Sequence, residues 1–171
     1  MKKRNFSNQA LALVGISAAL ALLLSYVEHL LPPLFAAVPG IKMGLPNVIV
    51  LYMLYAAGPR EAGLVSLVRL LLSALLFGSA MTFLYSLAGA VLSFLVMVLL
   101  KKTDKLSPVG VSVAGAVCHN IGQVLMAMLL LDTPQIVYYL LVLTVTGTLA
   151  GILVGLLGGY LQKRLPLIMA P

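Results

Sequence analysis

Acidic residues are scarce in this 171-residue chain: Asp and Glu number 4 against 11 Lys and Arg, and charged residues make up only 9%. The carboxylates Glu28, Glu61, Asp104 and Asp132 fall in four different breaks or segment ends, so no acidic pair is expected to hold magnesium for diphosphate chemistry. There is one cysteine, Cys118, which excludes an internal disulfide and any site built from several thiolates. The chain also lacks a G-x-x-x-x-G-K-[ST] phosphate loop, a G-x-S-x-G elbow and an H-E-x-x-H pair. ATP hydrolysis cannot come from this polypeptide, no metal or cofactor is expected, and the chain reads as a non-enzyme.

What fills the sequence is apolar. Hydrophobic residues are 62% of the total and the mean hydropathy is +1.13, whereas a soluble domain runs at about 45–50% apolar and about 25% charged. Water cannot solvate such a surface. The net charge of +7 would suggest nucleic acid on a soluble domain, but its placement points to membrane orientation and no nucleic-acid partner is expected. Six apolar segments stand between charged or turn-rich breaks: Gln9–Leu31, Leu45–Ala57, Ala62–Phe77, Met81–Leu100, Val109–Leu131 and Ile136–Leu161. A hydrocarbon core about 30 Å thick takes about 20 helical residues to cross. Leu45–Ala57 would be only about 20 Å long as a helix, so protein rather than lipid is expected to cover its ends.

With the N-terminus inside, Lys2, Lys3, Arg4, Arg60, Lys101, Lys102, Lys105, Lys163 and Arg164 share one face, and the other face receives only Lys42. That asymmetry is a positive-inside pattern and requires an even number of crossings. The expected architecture is therefore all-α: one transmembrane domain of six helices, both termini cytoplasmic, in a bacterial-type plasma membrane. The first run is too long for a secretory leader and is read as the first crossing.

The helix faces carry two kinds of signal. Gly147, Gly151, Gly155 and Gly159 recur every four residues on the last helix, and Gly15 and Ala19 form a smaller pair on the first. Such small-residue stripes let helix backbones approach within lipid. Internal packing and docking of another subunit both fit. The second signal is polar. Arg69 and His119 lie near mid-membrane, Ser66 and Ser73 share a face with Arg69, and Ser112, Gly115, His119, Gly122 and Gln123 form a stripe on the fifth helix. Tyr85, Gly89 and Ser93 line the fourth. Intramembrane polar side chains face an interior or a cavity. In the assigned orientation Arg69, His119 and Asn120 make a floor, with Glu28, His29, Lys42, Asn47, Tyr85 and Gln123 in the outer half above it. The expected ligand site comprises Arg69, His119, Asn120, Gln123, Asn47, Lys42 and Tyr85, an outward-opening pocket for a ligand with anionic or carbonyl groups. A duller alternative exists for each: Arg69 neutralising a carboxylate, His119 packing, and Glu28 and His29 forming a solvated loop end.

Four stretches carry a family likeness: Gly40-Ile41-Lys42-Met43-Gly44-Leu45-Pro46-Asn47, Gly58-Pro59-Arg60-Glu61-Ala62, Phe83-Leu84-Tyr85-Ser86-Leu87-Ala88-Gly89, and Ala114-Gly115-Ala116-Val117-Cys118-His119-Asn120-Ile121-Gly122-Gln123. They resemble the Gx transporter family, also labelled heptaprenyl diphosphate synthase component I. Pro46 and Cys118 depart from its pattern, where alanine is expected. That family is similar to the substrate-binding subunits of energy-coupling factor transporters. The resemblance implies six helices, a small-molecule ligand taken from outside (a flavin, a vitamin, or an isoprenoid or quinone precursor), a separate transmembrane subunit and a pair of ATPases. The alternative it implies is a non-transporting accessory subunit beside a flavoprotein or prenyl synthase, in a flavin-linked electron-transfer or heptaprenyl diphosphate synthase assembly. Membrane lipid surrounds the chain in either case.

Overall fold

A computed structural model describes residues 8–30 and 44–165. Among the described residues there are six α-helices and no strand: α1 (Asn8–Leu30), α2 (Asn47–Ala56), α3 (Pro59–Leu76), α4 (Ala80–Lys102), α5 (Pro108–Leu131) and α6 (Tyr139–Arg164), the last preceded by a 3-10 turn over Pro134–Tyr138. Helices α1, α4 and α5, together with the continuous run through the 3-10 turn and α6, are long and apolar enough to cross a membrane. The chain is an all-helical membrane protein. Its outer surface agrees with that: Leu75, Leu129 and Leu141 are 81%, 76% and 77% exposed, part of an apolar exterior far larger than water tolerates.

Local chemistry sets the helix ends. Gly58 adopts φ +119°, a value that favours glycine, and Pro59 follows at the first helical position, where its missing N–H costs nothing. Helix α3 therefore starts at Pro59 rather than Ala62, taking Arg60 and Glu61 into its first turn. Ser79 and Thr82 form a capping box at α4, and Ser107 accepts from the Gly110 N–H ahead of α5. Asp132, left-handed at φ 47°, ends α5.

Helix α5 is the centre of the packing, with its most extensive interfaces against α4 and α6. Glycines bring both neighbours close. A Cβ added at Gly122 would lie 2.8 Å from the Gly89 Cα, and one at Gly115 would lie 2.6 Å from the Met97 Cγ. On the other side, Gly151 and Gly155 of α6 approach within 2.7 Å and 2.6 Å of the Val113 and Val109 Cα atoms by the same measure, and Gly147 meets the Asn120 amide. Three of the four stripe glycines thus pack against α5. A Cβ at Gly159 would meet nothing within 4 Å, and the same holds for Gly15, which with Ala19 lies on the exposed face of α1.

Helix α2 is apolar on every side, and Val48 through Leu54 are all buried, as befits a helix enclosed by others. Polar contacts fix both its ends. The Glu28 Oε1 accepts the Gly44 N–H at 2.5 Å, just before the helix. At the other end Lys101 Nζ donates to the Leu54 carbonyl at 2.5 Å and lies 5.1 Å from the Tyr55 ring centroid. The Tyr52 hydroxyl donates to the Leu165 carbonyl, and Ser17 Oγ donates to the Met53 sulfur from α1. Burial of Glu28 corrects its reading as a solvated loop end: its carboxylate is needed at the start of α2. His29 does face outward, with its ring 5.2 Å from that of Phe77.

Replacing Gly151 or Gly155 by valine is expected to destabilise the protein by about 1–3 kcal/mol or more, because the partner is backbone and cannot yield. Gly15→Ala is expected to leave stability unchanged or raise it by a few tenths of a kcal/mol, alanine being the better helix former. Thermal unfolding in detergent micelles reads both effects.

Candidate functional site

Near mid-height, where α3, α4 and α5 meet, a layer of polar side chains interrupts the apolar interior. Arg69 projects from the buried face of α3 beside Ser66 and Leu70. His119 and Gln123 are one turn apart on α5 and therefore share its α4-facing side. Gly89 of α4 makes the room for both: a Cβ there would lie 2.8 Å from the Gln123 Cγ and 3.0 Å from the His119 Cε1. Arg69 is close enough to act electrostatically on His119, and Glu28 on Arg69. Residues from α1, α3 and α5 are thereby linked in one polar region, with Gly89 on its α4 side.

All of these side chains are buried; Arg69 and His119 are each 7% exposed and Gln123 1%. Yet Arg69 Nε and Nη2, His119 Nδ1, and both Gln123 amide atoms find no hydrogen-bond partner among the described residues. An unsatisfied buried polar atom costs about 1–3 kcal/mol, and native interiors contain few of them. Here five fall on three neighbouring residues. The Nε and Nη2 atoms form one edge of the guanidinium, the edge that grips a two-oxygen group side-on. Gln123 offers a donor and an acceptor together. The layer can therefore bind a polar group that supplies complementary atoms.

Other residues expected at the site are placed elsewhere. Asn120 turns toward α6, where its Nδ2 donates to the Leu143 carbonyl at 2.6 Å beside Gly147. That bond ties α5 to α6. Tyr85 is buried in an apolar cluster with Val124, Ala127, Ile136 and Leu143. Asn47 does not stand above Arg69 and His119. It begins α2 and lines a small cavity with Ser93 and Ser112, one to two turns nearer the basic ends of α4 and α5. The reason is length: α2 has 10 residues, about 15 Å, and its last turn is held beside Lys101, so its first turn starts deep. Lys42 lies outside the described residues.

Two residues owe their roles to partners that periodicity does not show. Glu28 ends its helix beside His29 and looks solvated, and Lys101 looks like an ordinary interfacial cation. Only their long-range partners, Gly44 and Leu54, reveal them. Among the described residues no three His, Cys, Asp or Glu side chains gather as a metal site would require.

A family model described as heptaprenyl diphosphate synthase component I matches residues 16–161. That range runs from the third turn of α1 to the last turn of α6 and includes every residue of the polar layer. No curated protein and no solved structure matches the chain. With most of its length inside the match, the chain belongs to the heptaprenyl diphosphate synthase component I family.

Proposed function

We propose that this protein is a membrane-embedded subunit that binds a small molecule for uptake, in the manner of the substrate-binding subunits of energy-coupling factor transporters. Arg69, His119 and Gln123 hold the ligand's polar group, with Glu28 setting the charge beside Arg69. The observation that carries this reading is the cluster of buried, unpartnered polar atoms on those three residues. A ligand offering a carboxylate, phosphate or carbonyl to Arg69 and an amide-like edge to Gln123 satisfies them. Flavins, vitamins and isoprenoid or quinone precursors are the candidate classes, with Lys42 a further candidate contact. The basic ends of the helices face the cytoplasm of a bacterial cell, following the positive-inside rule.

The family description favours a second reading: a non-transporting membrane component of a heptaprenyl diphosphate synthase assembly, acting beside a separate partner; a flavin-linked assembly is a variant of this reading that the description does not name. In either case the four carboxylates are too scattered for this chain to carry the diphosphate chemistry itself. The outward Gly15 and Ala19 face of α1 suits close approach of another helix in both readings. Gentle purification from the native membrane separates the two: co-purifying ATPases support uptake, and a co-purifying prenyl synthase or flavoprotein supports the assembly.

For the ligand site, small molecules released from the purified protein are quantified by mass spectrometry. Arg69→Ala, His119→Ala and Gln123→Leu are each expected to reduce ligand retention at least tenfold, equivalent to about 1.4 kcal/mol. Gln123→Leu is further expected to leave the melting temperature of the ligand-free protein unchanged or higher, because it removes an unpaired buried amide. Asn120→Ala is expected to do the reverse, lowering stability by about 1 kcal/mol through loss of the bond to Leu143 while ligand retention stays the same. Full retention in all three layer variants would remove the proposed site.

A further inference from the structure

Below the polar layer, at the start of α2, lies a small, partly open cavity of about 10 Å³. Its polar lining comes from three helices: Asn47 on α2, Ser93 on α4 and Ser112 on α5, with Gly44 at one edge and Met97 and Val154 among its apolar walls. Ser93 and Ser112 are each only 3% exposed. Neither has a hydrogen-bond partner among the described residues.

Several other hydroxyls in the helices behave differently. Ser25, Ser73, Thr144, Thr146 and Thr148 all donate to carbonyls three or four residues back in their own helices. A buried serine normally satisfies itself in this way. Ser93 and Ser112 are nearly as buried as Ser25, yet they leave their own backbones unbonded, as Ser66 does, and they alone of these line a shared space. Asn47 adds an amide from the third side.

Size and charge identify the occupant. About 10–15 Å³ of such space holds a single water, and buried waters make about three hydrogen bonds. Three polar side chains line the cavity. No lining side chain carries a charge. The positive end of α2 is already matched by the Glu28 carboxylate on the Gly44 N–H, so neither a cation nor an anion finds an uncompensated field there.

We infer that Asn47, Ser93 and Ser112 form a binding site for one buried water molecule, which pins the first turn of α2 to α4 and α5. This site is separate from the Arg69 layer and does not depend on the ligand reading. The water gives each hydroxyl the partner that its own helix does not supply. It also holds the short helix at its inner start, as Lys101 holds it at its end.

The sign of a stability change tests the inference, because removing an unpaired hydroxyl from a dry cavity relieves a penalty whereas removing a water ligand creates one. Ser93→Ala and Ser112→Ala are made in the full chain in lipid nanodiscs and compared by thermal unfolding. Each is expected to lower the melting temperature by about 2–4 °C, and the double variant is expected to depart from the sum of the singles, since both act through one water. An unchanged or raised melting temperature in either single variant would overturn the site. Exchanging sodium for choline is expected to have no effect; a sodium-dependent rise in melting temperature that Ser93→Ala and Ser112→Ala both abolish would overturn water in favour of a cation. An experimental map resolving solvent supports the inference if density lies within about 3.2 Å of both hydroxyls, and a dry cavity in that map defeats it even if the variants cannot be purified.

Discussion

Close approach of helix backbones is the constraint on which this protein rests. Lipid chains are as apolar as leucine, so burying leucine against leucine gives a membrane helix little reason to leave the lipid. What holds the helices is contact at short range, and α5 is built for it. Its own Gly115 and Gly122 admit α4, and Gly147, Gly151 and Gly155 of α6 fit against its other side. The same helix carries His119, Asn120 and Gln123. Tight packing and polar chemistry therefore depend on one element, and the glycine at position 89 serves both by clearing space for two of those side chains.

Helix α2 shows how a short element is kept inside a membrane protein. Ten residues cannot cross the bilayer, and a helix end left in hydrocarbon would strand its polar backbone groups. Here the Glu28 carboxylate meets the chain just before the helix, and Lys101 meets a carbonyl at its end. Each long side chain comes from the tip of a longer helix and reaches inward. The charge signs also suit the helix: an anion near the positive end, a cation near the negative end.

The polar layer has the opposite character. Arg69, His119 and Gln123 oppose folding as long as their atoms lack partners. For stability alone, leucine in place of Gln123 would remove two unpaired buried atoms. Unmet hydrogen-bonding capacity is concentrated in this one buried layer, which sets it apart from Asn120, whose amide is consumed by Leu143.

Periodicity, charge placement and the glycine spacing made much of the architecture legible in the linear chain. Helix count, the all-α membrane class, and the shared face of His119 and Gln123 follow from local rules, because each concerns residues within a turn or two of one another. Which of two adjacent residues keeps an unpaired side-chain atom was not legible: His119 and Asn120 are neighbours, but only packing against Gly89 on one side and Gly147 on the other sets them apart. The depth of Asn47 and the burial of Glu28 likewise arose from contacts between distant segments. A sequence specifies which faces are apolar and where helices begin, since those depend on local backbone and side-chain preferences. The rotation and depth of each helix are decided only by assembly, because they are set by how closely one backbone can approach another.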